Sequence, residues 1–429
     1  MKNSVRIGCG AGFSGDRLEP AIVLVEKGRL DYLVLECLAE RTIALAQKRK
    51  ANDPTKGYDP LLERRVEKLL PLLKQNSVKL ITNMGAANPM SAAEKIIGLA
   101  NKMQIDLTVA AVLGDDVFHL ITGNEISTET NSRLADSGEL ISANAYLGAD
   151  AILPALEAGA DIIITGRVAD PSLFVAPLVH EFGWDMNNAN IIAKATIVGH
   201  LMECAGQITG GYFADPVDKP VRDMENLGHP VAEVFSDGTS LITKVEGTGG
   251  VINLATVKEQ LLYEVTNPKE YITPDVVTDF TTVFLKANGK DCVHVSGGNG
   301  VKQPGTLKVS VGYKAGFMGE GEISYAGHHA YERAQLAGKT ISRRIKNLFT
   351  GFRIDFIGGN NTGEVRLRVA GRTPLQKTAE QIGEEVEALY TNGPAGGGGV
   401  RKYVTEVIGI VSTLIDRNLV KSSIELEKT

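Results

Sequence analysis

Short apolar runs separated by helical patterns dominate the first half of the chain. Residues 5–9, 32–35, 78–82, 107–112 and 161–165 read as strands with few or no polar residues inside them. Between them, apolar positions recur at helical spacing. Leu61, Leu62, Val66, Leu69 and Leu70 predict a helix over 61–75. Pro89 opens a helix over 89–102, where its missing N–H costs nothing. The stretch 143–157 carries Gly148 and reads as two helical pieces, and Pro171 opens a further helix toward His180. Continuous apolar strands alternating with helices imply a parallel sheet covered on both faces. The expected fold class of this half is α/β, with an open doubly wound sheet favoured over a barrel.

The pattern changes near residue 215. Residues 240–245, 277–287, 292–295, 306–311, 320–325 and 364–370 read as strands. Several alternate with period two, as in Thr306-Leu307-Lys308-Val309-Ser310-Val311. Helical stretches lie over 257–264, 331–348 and 378–390, and a last helix is expected over 400–419, behind a glycine run. The second half is therefore expected to be α+β, giving two domains, 1–215 and 216–429.

Composition narrows the function. Lys and Arg number 45 against 51 Asp and Glu, a net charge of −6. That sign argues against nucleic acid as the main partner. No apolar run approaches the roughly 18 residues of a membrane helix, so no membrane association is expected. Four cysteines without C-x-x-C spacing read as reduced thiols of a cytoplasmic protein. Glycine, 47 of 429 residues, is abundant enough to imply many places where backbone approaches something closely.

Candidate chemistry collects where the strands end. Gly8, Gly10, Gly12 and Gly15 follow the first strand, but Phe13 stands where a dinucleotide fingerprint needs its third glycine. The loop reads instead as one that aims Ser14, Asp16 and Arg17 into a cleft, with a surface ion pair as the plainer alternative. Asn83 and Asn88 flank small residues, where one can cap the next helix and both can leave room for a ligand. Asp115-Asp116 reads as an acidic turn sooner than a cation site. The segment GADIIITGRVADPSL delivers Gly166, Arg167 and Asp170 to the sheet edge. Arginine there suits a carboxylate or phosphate, while Asp170 is placed to cap a helix or hold Arg167. In GHLMECAGQITGGYFADP, His200 and Glu203 lie three apart on one helix face, as an acid–base couple or a ligand pair. Cys204 would be a nucleophile only with a lowered pKa. Finally, Gly397, Gly398 and Arg401 of NGPAGGGGVRK make an anion site at a helix start plausible.

The candidate catalytic residues are thus Asp16, Arg167, Asp170, His200 and Glu203. Gly12, Ser14, Arg17, Asn83, Asn88, Gly166, Gly397, Gly398 and Arg401 are candidates for substrate binding. No metal site and no cofactor is assigned.

Taken together, the segments GCGAGFSGDR, LITNMGAANP, GADIIITGRVADPSL, HLMECAGQITGGYFADP, GEGEISYAG and NGPAGGGGVRK resemble the acyclic terpene utilisation AtuA family. The resemblance runs from Val5 to Leu419 and implies a catabolic setting in which branched acyclic terpenoids are processed as CoA thioesters. Many relatives carry an additional C-terminal ferredoxin-like domain with an ARSGDKG-like motif, which this sequence lacks. The resemblance therefore suggests a separate small ferredoxin-like partner subunit, or a function needing none. A homo-oligomer is expected for a catabolic protein of this size. Two function classes follow. One is an enzyme acting on an acyl-CoA or a small hydroxy or unsaturated acid by hydration, dehydration or lyase chemistry. The other is a non-catalytic acyl-CoA-binding or assembly subunit.

Overall fold

The apolar runs of the first half lie side by side. The computed structural model describes residues 2–349, 351–359 and 363–429. In chain order the elements begin β1 (Ser4–Ala11), α1 (Glu19–Lys27), β2 (Tyr32–Leu35), α2 (Glu40–Asn52), α3 (Leu62–Asn76), β3 (Lys79–Thr82), α4 (Pro89–Met103) and β4 (Thr108–Leu113). There follow β5 (Leu140–Ala145), α5 (Leu153–Glu157), β6 (Ile162–Thr165), α6 (Ser172–Phe182) and α7 (Ala189–Met202). Strands β4, β6, β3, β2 and β1 pair in that order, all parallel.

Side chains of a strand alternate between faces, and β2 shows what this does. Leu33 and Leu35 pack with Leu24 of α1, Leu69 of α3 and Ile96 of α4. Tyr32 and Val34 face the other way, among Phe174 and Leu178 of α6 and Ile197 and Leu201 of α7. Both faces are covered, as continuous apolar strands require.

An antiparallel wing extends the sheet beyond β1. It contains β7 (Pro230–Phe235), β8 (Ser240–Lys244), β9 (Tyr271–Ile272), β10 (Val277–Ala287) and β11 (Cys292–Val301), with α8 (Leu254–Leu262) among them. The sheet is open, so the α/β expectation holds and a barrel is excluded.

The chain divides into two compact units. The larger takes the chain up to Ser132, Ile141–Val311 and Val411–Thr429, and the smaller takes Arg133–Leu140 and Gly312–Ile410. Residues 215 and 216, the division expected from the sequence, both lie in the larger unit. The smaller unit is built from β12 (Thr306–Ala326) from Gly312 on, α9 (Ala330–Ile345), β13 (Phe352–Gly358), β14 (Glu364–Thr373), α10 (Gln376–Asn392) and β15 (Gly397–Asp416) up to Ile410. Its strand order, β13-β14-β12-β15, with β14 antiparallel to both neighbours, is the split βαββαβ arrangement of ferredoxin-like domains. Ile341 of α9 and Ile382 and Val386 of α10 pack with Ile323, Leu367 and Val369 of its sheet. The last strand, β16 (Ser423–Lys428), belongs to the larger unit and pairs antiparallel with β4.

Three local expectations need correction. The helix expected over 400–419 is strand β15, because Val404, Thr405, Val407, Ile408, Ile410 and Val411 are β-branched and stiff at χ1. The stretch 143–157 begins as the end of β5 and turns helical only at Leu153 apart from a single 3₁₀ turn. The strands expected over 306–311 and 320–325 are one continuous strand, β12.

Candidate functional site

Strands β1, β2 and β6 end at one edge of the parallel sheet. The residues just past them, with the end of α7, line a cavity of about 640 Å³ within the larger unit. Ligand sites of open α/β sheets lie at this edge.

The glycine loop after β1 forms one wall. Gly12 has no room for a side chain, since a Cβ there would lie 2.5 Å from the carbonyl carbon of Cys204. The Gly12 N–H donates to Asp16 Oδ2 at 2.8 Å, and the Asp16 N–H donates to the Phe13 carbonyl. Behind the loop, buried Arg65 of α3 donates to the carbonyls of Ser14 and Asp16 at 2.8 and 2.6 Å.

Strand β2 runs directly into Glu36, which is 8% exposed and lines the cavity. Its Oε1 accepts from Leu38 N–H at 2.8 Å and from Asn83 Nδ2 at 2.9 Å, while Asn83 Oδ1 accepts from Cys37 N–H at 2.7 Å. Burial, reinforced by Asp170, pushes the Glu36 carboxyl up to about 8, against the opposing pull of Arg167 and the two donors. At neutral pH Glu36 therefore holds a proton, and Oε2 is the oxygen free to carry it.

Strand β6 delivers Arg167, which is 1% exposed. Its guanidinium donates to the Val168 carbonyl through Nε and Nη2 at 2.8 and 2.6 Å, to the Leu38 carbonyl and to Asp170 Oδ1, and its flat face lies 4.5 Å from the ring centroid of Tyr146. Asp170 thus holds Arg167 instead of capping α6, whose first residues have no side-chain cap. Burial raises the Asp170 carboxyl, and the Arg167 guanidinium bonded to it opposes that rise.

Glu203 sits at the C-terminal end of α7, where the helix dipole disfavours negative charge. Burial and the charges of Asp170 and Glu264 push its carboxyl well above the usual range. Its Oε1 lies 3.0 Å from His200 Nδ1, and its Oε2 is buried without a partner. His200 itself is 1% exposed and stands behind Glu203, packed against the mutually stacked rings of Tyr271 and Phe280. Burial lowers its pKa to about 4, so the imidazole is neutral. Burial and Glu203 raise the Cys204 thiol, which removes the thiolate a nucleophile would need.

Gly12, Ser14, Asp16, Arg167, Asp170 and Glu203 therefore meet at one cavity. The remaining expected residues stand elsewhere. His200 and Asn83 are buried behind Glu203 and Glu36, which they orient. Arg17 lines a neighbouring cavity of about 820 Å³ and donates to the Glu225 carbonyl at 3.0 Å. Asn88 caps α4 and donates to the carbonyls of Pro54 and Lys56, which accounts for its whole side chain. Gly166 is glycine because Asp115 packs 2.5 Å from where its Cβ would be. Gly397, Gly398 and Arg401 lie on β15 in the smaller unit, with no helix start for an anion to use. Asp115 is buried and accepts from the Arg167 N–H and from Asn144, a structural role. Among the described residues, no group of histidines, cysteines and carboxylates is arranged to hold a metal ion.

Sequence reading missed Glu36, Glu40 and Arg65. Glu36 had a signal, since an acid directly after an apolar parallel strand sits at the sheet's C-terminal edge. Arg65 had none, because a helical arginine reads as a solvated charge.

The sequence model of the acyclic terpene utilisation family protein AtuA matches residues 5–426. The chain belongs to this family. Membership supports a role in acyclic terpene utilisation and spans both units of the AtuA-family chain. No curated protein matches it. Among solved structures, the de novo designed protein Ferredog-Diesel is similar at 26% identity over 21% of this chain and 88% of its own, with a TM-score of 0.17, too low to support a structural argument. Among the described residues, no helix is long and apolar enough to cross a membrane.

Proposed function

We propose that this AtuA-family protein is an acid–base enzyme of the hydratase or dehydratase type, acting on a branched hydroxy- or unsaturated acyl compound. The observation that carries the reading is the convergence of three carboxyls in unlike surroundings on one cavity: Asp170 bonded to the Arg167 guanidinium, Glu36 held by neutral donors and Glu203 beside His200. Pairs of groups whose environments separate their pKa values mark acid and base roles. Elimination of water needs a base for the proton beside the carbonyl and an acid for the leaving hydroxyl. Asp170, held toward its ionised form by Arg167, takes the carbon-bound proton. Glu36 gives its Oε2 proton to the departing hydroxyl, which leaves as water, and the double bond forms between the two carbons. Addition of water runs the same steps backward. Glu203, with its proton, stands ready to donate to the carbonyl oxygen. A cavity of about 640 Å³ is in the range of roughly 300–1,000 Å³ typical of small-molecule sites.

The test is proton NMR in D₂O with short branched 3-hydroxyacyl thioesters. The reading expects deuterium to enter the position beside the carbonyl, with appearance of the unsaturated product. Tight binding of these compounds with no exchange and no turnover would instead assign the protein to a binding or assembly role.

A further inference from the structure

The run NGPAGGGGVRK takes no part in the cavity and leads into β15. That strand stands at one end of the smaller unit's strand order, so its outer edge meets no strand among the described residues. Gly397 seats it closely, since a Cβ there would lie 2.8 Å from Ile323 Cδ1 of β12. Beyond Gly397, the five residues Arg401, Lys402, Tyr403, Val404 and Thr405 are all exposed. Successive strand residues point to opposite faces, so this stretch lies open on both faces as well as along its edge. Tyr403 is 54% exposed and Val404 38%. Tyr390, whose hydroxyl accepts from the Val400 N–H at 3.2 Å, is 53% exposed beside them.

An open edge with apolar side chains is a template for another strand unless charges blunt it. On β13, the opposite edge, Arg353 and Asp355 are paired with each other and Asp355 with Arg368. On β15 the charges are instead arranged to match a second copy of the same strand. Lys402 lies on the side of α10, where its Nζ donates to Glu387 Oε2 at 2.6 Å and its Cβ would be 3.0 Å from a Cβ at Gly383. Val404 and Glu406 share that face by alternation. A two-fold axis perpendicular to an antiparallel pair passes through a residue that faces its own copy. With the axis at Val404, Lys402 falls opposite the second copy's Glu406, twice, and Tyr403 falls opposite Thr405. With the axis at Tyr403 or Thr405, Glu406 falls opposite a valine and the charges are unmatched. Opposite charges facing each other across such a pair stabilise it, and like charges destabilise it.

We infer that β15 joins two copies of this chain, edge to edge and antiparallel about an axis at Val404, so that the sheets of the two smaller units become one. The contact is isologous, with the same stretch contributed by each copy.

Sedimentation velocity of the full chain at micromolar concentration is expected to give the mass of two chains. Lys402→Glu places like charges opposite each other at both contacts, as does Glu406→Lys, and each is expected to weaken the dimer at least about tenfold. Mixed in equal amounts, the two variants are expected to recover the two-chain mass, because in the mixed pair glutamate faces lysine at both contacts. Far-UV circular dichroism checks that each variant is folded. Hydrogen exchange of the parent needs no variant, and the amides of residues 401–407 are expected to gain protection as concentration rises. A parent with the mass of one chain would overturn the inference. So would a dimer that survives both substitutions, a mixture that stays as single chains, or exchange at 401–407 that ignores concentration.

Discussion

A carboxyl group buried away from water keeps its proton, because the low-dielectric surroundings penalise the charge. Glu36 and Glu203 are in that state, and each contributes in a way its substitution can separate. Glu36→Gln preserves the shape and the acceptor oxygen but cannot deliver a proton. It is expected to lower turnover by about 10²- to 10⁴-fold, the usual weight of general acid catalysis, while leaving ligand affinity nearly intact by titration. Arg167 is a different case. Removing it leaves Asp170 uncompensated and two carbonyls without donors. Arg167→Ala should cost about 3–5 kcal/mol in denaturant unfolding, as loss of one partner of a buried ion pair does. A cost under about 1 kcal/mol would show that the side chain is a surface-like cation and not the floor of the site. Much of this was legible in the sequence, since Asp16, Arg167 and Asp170 follow apolar strands and Glu203 closes a helix. Glu36 carried the same signal and was passed over, because a four-residue strand leaves its acid looking like the first charge of α2. His200 was legible as a neighbour of Glu203 but not as buried, since helical spacing fixes which residues share a face and not which face is covered.

Helix α7 decides where Glu203 stands, and its distance from α6 depends on Gly199. A Cβ at Gly199 would lie 2.6 Å from the Pro171 carbonyl oxygen. Gly199→Ala should therefore separate the helices at a cost of about 1–3 kcal/mol, read by thermal or urea unfolding, with a parallel loss of ligand affinity. An alanine variant as stable and as tight-binding as the parent would show that the packing can give. Element types were readable where periodicity was sustained, as in α3, α4, α9 and α10. They failed at 400–419, where helical length and a glycine prelude outweighed β-branched content in the reading. The anion site expected there depended on a helix start, and it disappears with the helix.

Across the whole molecule, the buried groups write a pH dependence of stability. Glu36, Asp115 and Asp275 have folded pKa values of about 8, 6 and 6, above their ordinary ones, so the folded chain binds more protons than the unfolded chain. Stability from these groups is present at low pH and is lost as pH rises through those values. His200, lowered to about 4, works in the opposite sense, and its contribution is lost as pH falls from about 6.5 toward 4. Above about pH 7 His200 has little influence, and the raised carboxyls Glu36 and Glu203 set the slope. Urea unfolding is expected to show stability falling between about pH 7 and 8, and Glu36→Gln should lessen the fall, with Glu203 carrying the rest. A flat parent profile would contradict the assignment. At this scale the open α/β sheet was legible, because wholly apolar strands are buried on both faces. The ferredoxin-like order of the smaller unit was not. Sequence patterns locate strands such as β12 and β14 but carry no record of which strand lies beside which, and β13 was not recognised as a strand at all.

The central claim is that a cavity carboxyl holds its proton at neutral pH. Difference infrared spectroscopy of the parent against Glu36→Gln, followed from pH 5 to 9, reads the protonated carboxyl directly. The account predicts a protonated-carboxyl band that is present at pH 7, is absent from the variant, and fades with a midpoint near 8. A band already gone by about pH 5, the behaviour of an ordinary glutamate, would contradict it.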